Sequence, residues 1–211
     1  MRTMVIAMLG GSLSLAGCGK KAPVLPTEPA EQAAACGAIQ AASEQEAVGA
    51  TGHLSAEAQE RVLHYALIAS SGSGSFDADT ADRIVKRTPV IFDKTVKGEW
   101  KTLKPACAAA YPATAQTTPI LPDQPFERAL QCYVVTDFMR KALGQIPGRY
   151  ADETLSLGIL ADKLDREVGP EVKRQGLKDE ALQARKNKAL AAAAGLGSPP
   201  AVIAACGKAF G

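Results

Sequence analysis

Aromatic residues are scarce in this 211-residue chain: one Trp, four Tyr and five Phe, 5 % of the total. Sheets draw on aromatic and β-branched side chains, so the scarcity, with abundant alanine, argues for packed helices over a β-sandwich. Histidine is scarcer still. His53 and His64 stand alone, with no H-E-x-x-H pattern and no neighbouring cysteine, so no metal site is expected. No C-x-x-C pair occurs, which excludes the common zinc clasps, c-type haem attachment and a thioredoxin-like redox centre. There is no G-x-S-x-G elbow, and Ser71-Gly72-Ser73-Gly74-Ser75 lacks the lysine of a phosphate loop. Asp77, Asp79 and Asp82 resemble the start of a calcium loop, but Asp82 and Thr88 occupy the places that need glycine and glutamate. Helix capping is the better reading of these aspartates. No cofactor is expected. Neither sign of charge dominates, with 24 basic and 22 acidic residues, so nucleic acid is not an expected partner.

Long apolar runs are also missing. The longest, Met4–Leu15, spans about 12 residues, against roughly 20 for a helix that crosses a bilayer. Preceded by Arg2, it has the form of the apolar core of a secretory signal peptide. It ends in Leu15-Ala16-Gly17-Cys18, which resembles the lipobox of bacterial lipoproteins. That resemblance implies cleavage before Cys18, a diacylglycerol on its thiol and acylation of the new amine. A thiolate is a suitable nucleophile for taking up lipid, and several acyl chains on one residue make a stable membrane anchor. Gly19 stands where an aspartate commonly retains such proteins in the inner membrane, so the resemblance points to the periplasmic face of the outer membrane.

Four cysteines remain: Cys36, Cys107, Cys132 and Cys206. In an exported chain an even number suggests disulfides, and four allow three pairings. An internal repeat favours one of them. Residues 23–36 (PVLPTEPAEQAAAC) and 119–132 (PILPDQPFERALQC) align without a gap, with seven of fourteen positions identical and Val24 against Ile120 conservative. Near the ends of the two copies, alanine precedes Cys107 and Cys206 and an aromatic follows four residues later, Tyr111 and Phe210. Two equivalent units would pair Cys36 with Cys107 and Cys132 with Cys206; the other pairings would tie the units together.

The expected architecture is all-α: two tandem modules of about four helices, each stapled by one disulfide. The divisions are a signal peptide at 1–17, a proline-rich tether at 18–29, a first module at 30–112, a linker at 113–125 and a second module at 126–211. In the first copy a helix capped by Ser55 carries Val62, Leu63, Ala66 and Leu67. His64 sits in this helix as a boundary residue between its apolar and polar faces. After a flexible Ser70–Gly74 loop, a third run holds Ile84, Ile91, Phe92 and Val96, with Pro89 either kinking or restarting it. A last helix over about 99–111 carries Trp100, Leu103 and Cys107. In the second copy Leu157, Leu160, Leu164 and Val168 share one face of a helix that Gly169-Pro170 should end. A charged helical run over 171–194 follows, then a helix from Ser198-Pro199 carrying Cys206. The proline segments 23–29 and 119–125 should be extended, with Leu25 and Leu121 packing each onto its own module.

The first copy carries 8 basic and 11 acidic residues, the second 13 and 11. The basic excess includes Arg185, Lys186 and Lys188, a candidate patch for an anionic partner as well as an ordinary solvated helix face. The balance favours a non-catalytic, lipid-anchored envelope protein of structural, binding or accessory role, with an envelope protein as a possible partner. The alternative is an envelope hydrolase working through paired carboxylates.

Overall fold

A computed structural model describes residues 23–49 and 53–210. The signal segment, Cys18 and Gly19 lie outside the described residues. Within them the chain is all-α, with eight helices in the order α1 (Pro29–Val48), α2 (Ala56–Ala69), α3 (Ala78–Val96), α4 (Lys104–Ala110), α5 (Pro125–Gly144), α6 (Ala151–Arg174), α7 (Asp179–Ala194) and α8 (Pro199–Phe210). Two disulfides, Cys36–Cys107 and Cys132–Cys206, close stretches of 71 and 74 residues. The first ties α1 to α4 and the second ties α5 to α8, as two equivalent copies require.

Local chemistry explains most of the boundaries. The Ser55 hydroxyl accepts from the Ala58 amide at 3.2 Å to start α2, and Asp77 accepts from the Thr80 amide at 2.7 Å to start α3. Pro89 neither ends nor restarts α3, and the Thr88 hydroxyl donates to the Ile84 carbonyl at 2.9 Å in the turn just before it. The expected helix over 99–111 is instead a short 3-10 turn, Trp100–Leu103, leading into α4, because Pro105 fits only the first turn of a helix. A second 3-10 turn, Pro112–Ala115, occupies the start of the expected linker.

Gly169-Pro170 fails to stop α6, which runs on to Arg174. The missing proline amide costs one bond near the helix end. Against that, Val172 lies one turn beyond buried Val168 and extends the apolar stripe onto the core. The break comes instead at Gly176, whose φ of 65° is in the left-handed region. The charged run over 171–194 is therefore divided between the end of α6 and α7.

The repeat is visible in detail. Gln32 donates to the Pro26 carbonyl at 3.2 Å, and Arg128, its counterpart, donates to the Pro122 carbonyl at 2.7 Å. Glu31 pairs with Arg87 of α3 at 2.9 Å, while Glu127 pairs with Arg185 of α7. Leu25 packs against the first core and Leu121 against the second.

The halves are nevertheless joined through α2. Tyr65 and Ala66 belong to a core formed with α1, α3 and α4, whereas Ala56, Leu63 and Leu67 belong to the core of α5 to α8. Hydrogen bonds also cross between the halves, among them Tyr150 hydroxyl to Leu54 carbonyl (2.8 Å), Phe76 amide to Asn187 carbonyl (3.1 Å) and Ser198 amide to Gln116 carbonyl (2.8 Å). Gly197 makes the last one possible, since a Cβ there would lie 2.7 Å from the Gln116 carbonyl oxygen.

Candidate binding cleft between the halves

A cleft of about 590 Å³ opens between α2 and α3 of the first half and α5 and α7 of the second. Its apolar lining comes from Leu63, Phe76, Ala81, Val85, Val134, Phe138, Ala142, Ile146 and Leu190. Phe76, just after the Ser70–Gly74 loop, meets Phe138 edge-to-face at 5.4 Å and helps to build a wall. The rim is polar, with Gln59, Gln145, Gln183 and Asn187 supplying amides and Asp82, Asp137, Lys141 and Lys186 supplying charge. This combination of size, a mainly apolar lining and a polar rim is that of a small-ligand site.

The charges at the rim are largely satisfied within the chain. Asp137 pairs with Arg140 and Lys141, both at 2.6 Å, and Asp82 pairs with Lys86 at 2.7 Å. Burial raises the Asp137 carboxyl, but hydrogen bonds from Lys141 and Arg140 outweigh it and hold the group below its ordinary range. Both carboxylates lining the cleft are thus partnered, and Asp137 is held in its ionised form. A general acid for glycoside chemistry needs the opposite, a carboxyl kept protonated at neutral pH. Lys186 stands 4.8 Å over the Tyr133 ring.

Two titratable groups are strongly perturbed, both on α2. Glu60 is buried without an ionic partner; burial and the nearby Glu57 push it up to about 7, against a smaller opposing effect of Arg61. His64 lies inside α2, and instead of sitting at the border of its apolar face it is fully buried at the junction of the halves. Its Nε2 donates to the Ala194 carbonyl at 2.8 Å, at the end of α7, and burial lowers it to about 4 despite that bond. Neither lines the cleft. His53 is exposed and distant in sequence from any cysteine.

The three residues of the candidate basic patch do not act together. Arg185 is committed to Glu127 and lies 5.9 Å from the Phe126 ring, Lys186 faces Tyr133, and Lys188 alone is exposed. No group of three or more His, Cys, Asp or Glu side chains able to hold a metal occurs among the described residues. Nor is any single described helix long and apolar enough to cross a membrane. The bent pair α7–α8 passes on length and composition, but the helices meet at 110° and place Ala189, Leu190, Val202 and Cys206 in the core.

The cleft itself was missed in sequence. Its signal is a divergence between the copies: Gly37 and Thr88 in the first half correspond to Tyr133 and Lys186 in the second. Comparison with family models, with curated proteins and with solved structures finds no match.

Proposed function

We propose that this chain is a lipid-anchored protein of the bacterial cell envelope that binds an apolar ligand between its two halves and does no chemistry on it. The cleft carries the reading. It is large enough for a small molecule or a few side chains, it is lined mainly by apolar groups, and its carboxylates are already neutralised by Lys86, Arg140 and Lys141. The two disulfides fit an oxidising compartment. The lipobox residues Leu15–Cys18 supply the proposed anchor, and Gly19 favours the outer membrane. A bound ligand would touch both halves at once and stabilise their association by mass action.

The neutral dye N-phenyl-1-naphthylamine is a suitable probe, because the rim carries balanced charge. The dye should bind the mature protein, and Ala78→Trp, which fills the cleft from an exposed position at the start of α3, should weaken binding at least tenfold without lowering the unfolding midpoint. Equal affinity in the filled variant, or no binding to the native protein, would overturn the ligand reading. Anchoring is tested separately: labelled palmitate should enter the native chain and not Cys18→Ala.

A further inference from the structure

The two copies of the proline segment have been kept alike, and nearly every matched position has a visible task. Pro29 and Pro125 open α1 and α5. Glu31 and Glu127 form ion pairs with Arg87 and Arg185, Ala33 and Ala129 are buried, and Cys36 and Cys132 form disulfides. Pro26 and Pro122 present carbonyls to Gln32 and Arg128, and Leu25 and Leu121 pack inward. One conservative pair has no packing or hydrogen-bonding task among the described residues. Val24 and Ile120 are both 83 % exposed, the most exposed large apolar side chains among the described residues.

Both segments have the form P-x-x-P: Pro23-Val24-Leu25-Pro26 and Pro119-Ile120-Leu121-Pro122. The residues that lead into the helices, Glu28 (φ −73°, ψ 127°) and Gln124 (φ −68°, ψ 121°), lie near polyproline geometry. A polyproline helix has three residues per turn, hence three edges. The leucine edge rests on the protein's own core. Pro23 and Pro26 are exposed and Pro119 and Pro122 half-buried, and the edge of Val24 or Ile120 is the one turned fully outward in both copies. Such a segment is pre-ordered, so little conformational entropy is lost when it docks.

We infer that Val24 and Ile120 mark two equivalent docking segments, read by a protein whose groove stacks aromatic side chains against the prolines and has an apolar pocket for the branched residue between them. A membrane surface would account for Val24, which follows Cys18 by six residues in the sequence. It would not account for Ile120, about a hundred residues further along the chain, which has the same exposure. Two copies on one chain allow bivalent capture, where the second contact forms at high effective concentration.

The test places a photo-crosslinking residue at 24, at 120 and, as a control, at Val48, which is exposed and apolar but outside the repeat. With the full-length protein in intact cells, positions 24 and 120 should trap the same protein and position 48 should not. Once purified, that protein should bind the synthetic peptides PVLPTEP and PILPDQP. Exchanging the valine or isoleucine for aspartate should weaken binding at least tenfold, and exchanging the leucine should change it less than threefold. Crosslinks into lipid, different proteins at the two positions, trapping no greater than at position 48, or equal sensitivity to the leucine exchange would each overturn the inference.

Discussion

The helix pair α1–α3 and its counterpart α5–α7 hold the same place in the two copies and carry equivalent ion pairs, Glu31–Arg87 and Glu127–Arg185, yet they pack differently. In the first half Gly37 lets α3 come close, and a Cβ there would already be 3.4 Å from the Thr88 side chain. In the second half Tyr133 and Lys186 stand at the corresponding places and stack on each other, and the seam between α5 and α7 is less extensive. One copy is closed along this seam. The other is open, and the opening becomes part of the cleft wall. A duplicated scaffold can therefore gain a cleft by enlarging one residue in one copy while its staples and caps stay fixed.

The largest effect expected concerns those staples. Removing either disulfide by paired Cys→Ala exchange should cost about 4 kcal/mol on the chain-entropy model. Because α2 contributes to both cores, circular dichroism in urea should still show one transition in each variant. Two separated transitions would mean that the halves fold independently, and the contrast drawn between them would then be one between separate domains.

Next comes the seam itself. Gly37→Tyr writes the second half's residue into the first and should destabilise by about 3 kcal/mol through overpacking against Thr88 and the Val62 carbonyl. Thermal unfolding at a fixed pH reads this directly. An unchanged midpoint would show that the first seam is as open as the second.

The two perturbed groups on α2 pull in opposite directions with pH. Glu60 titrates near 7 when folded and near 4.5 when unfolded, so its contribution to stability is complete below pH 4.5 and is lost as pH rises to about 7. His64 titrates near 4 when folded and 6.5 when unfolded, so its contribution is present above pH 6.5 and is lost as pH falls to about 4. In the native chain these slopes largely cancel between pH 4.5 and 6.5. Glu60→Gln should be more stable than the native chain by about 2 kcal/mol at pH 8 and should expose the histidine slope. His64→Gln should expose the opposite one. Urea midpoints across this range would show it, and parallel profiles for all three proteins would contradict the assigned shifts.

The smallest effect separates the equivalent ion pairs. Arg87→Ala and Arg185→Ala should each cost no more than about 1 kcal/mol, since both pairs are partly exposed. The second should also alter binding of the dye, because Arg185 precedes Lys186 on the cleft wall and the first has no such neighbour.

Much of the fold was legible in the residues because its markers are local. The helix start at Ser198-Pro199, the caps at Ser55 and Asp77 and the four-residue apolar spacing each act within a turn or two of the chain. The repeat supplied the cysteine pairing, whereas Pro29 and Pro125 open helices instead of ending extended segments. The cleft was not legible, because Tyr133 opposite Gly37 looks like ordinary drift until α7 is seen beside it. His64 was misplaced for a similar reason. Its partner, the Ala194 carbonyl, is 130 residues away, and no local pattern foretells a bond across that separation. Arg185 looked available to an outside anion because Glu127, 58 residues earlier, could not be set beside it from sequence.

Hydrogen exchange of the intact mature protein, with and without N-phenyl-1-naphthylamine, tests the central claim most directly. A ligand site shared by the halves predicts that the dye slows exchange in α2 and α3 of the first half together with α5 and α7 of the second, while the solvent-facing side of α6 around Leu155 and Ile159 is unchanged. Protection confined to one half, or centred on α6, would contradict it.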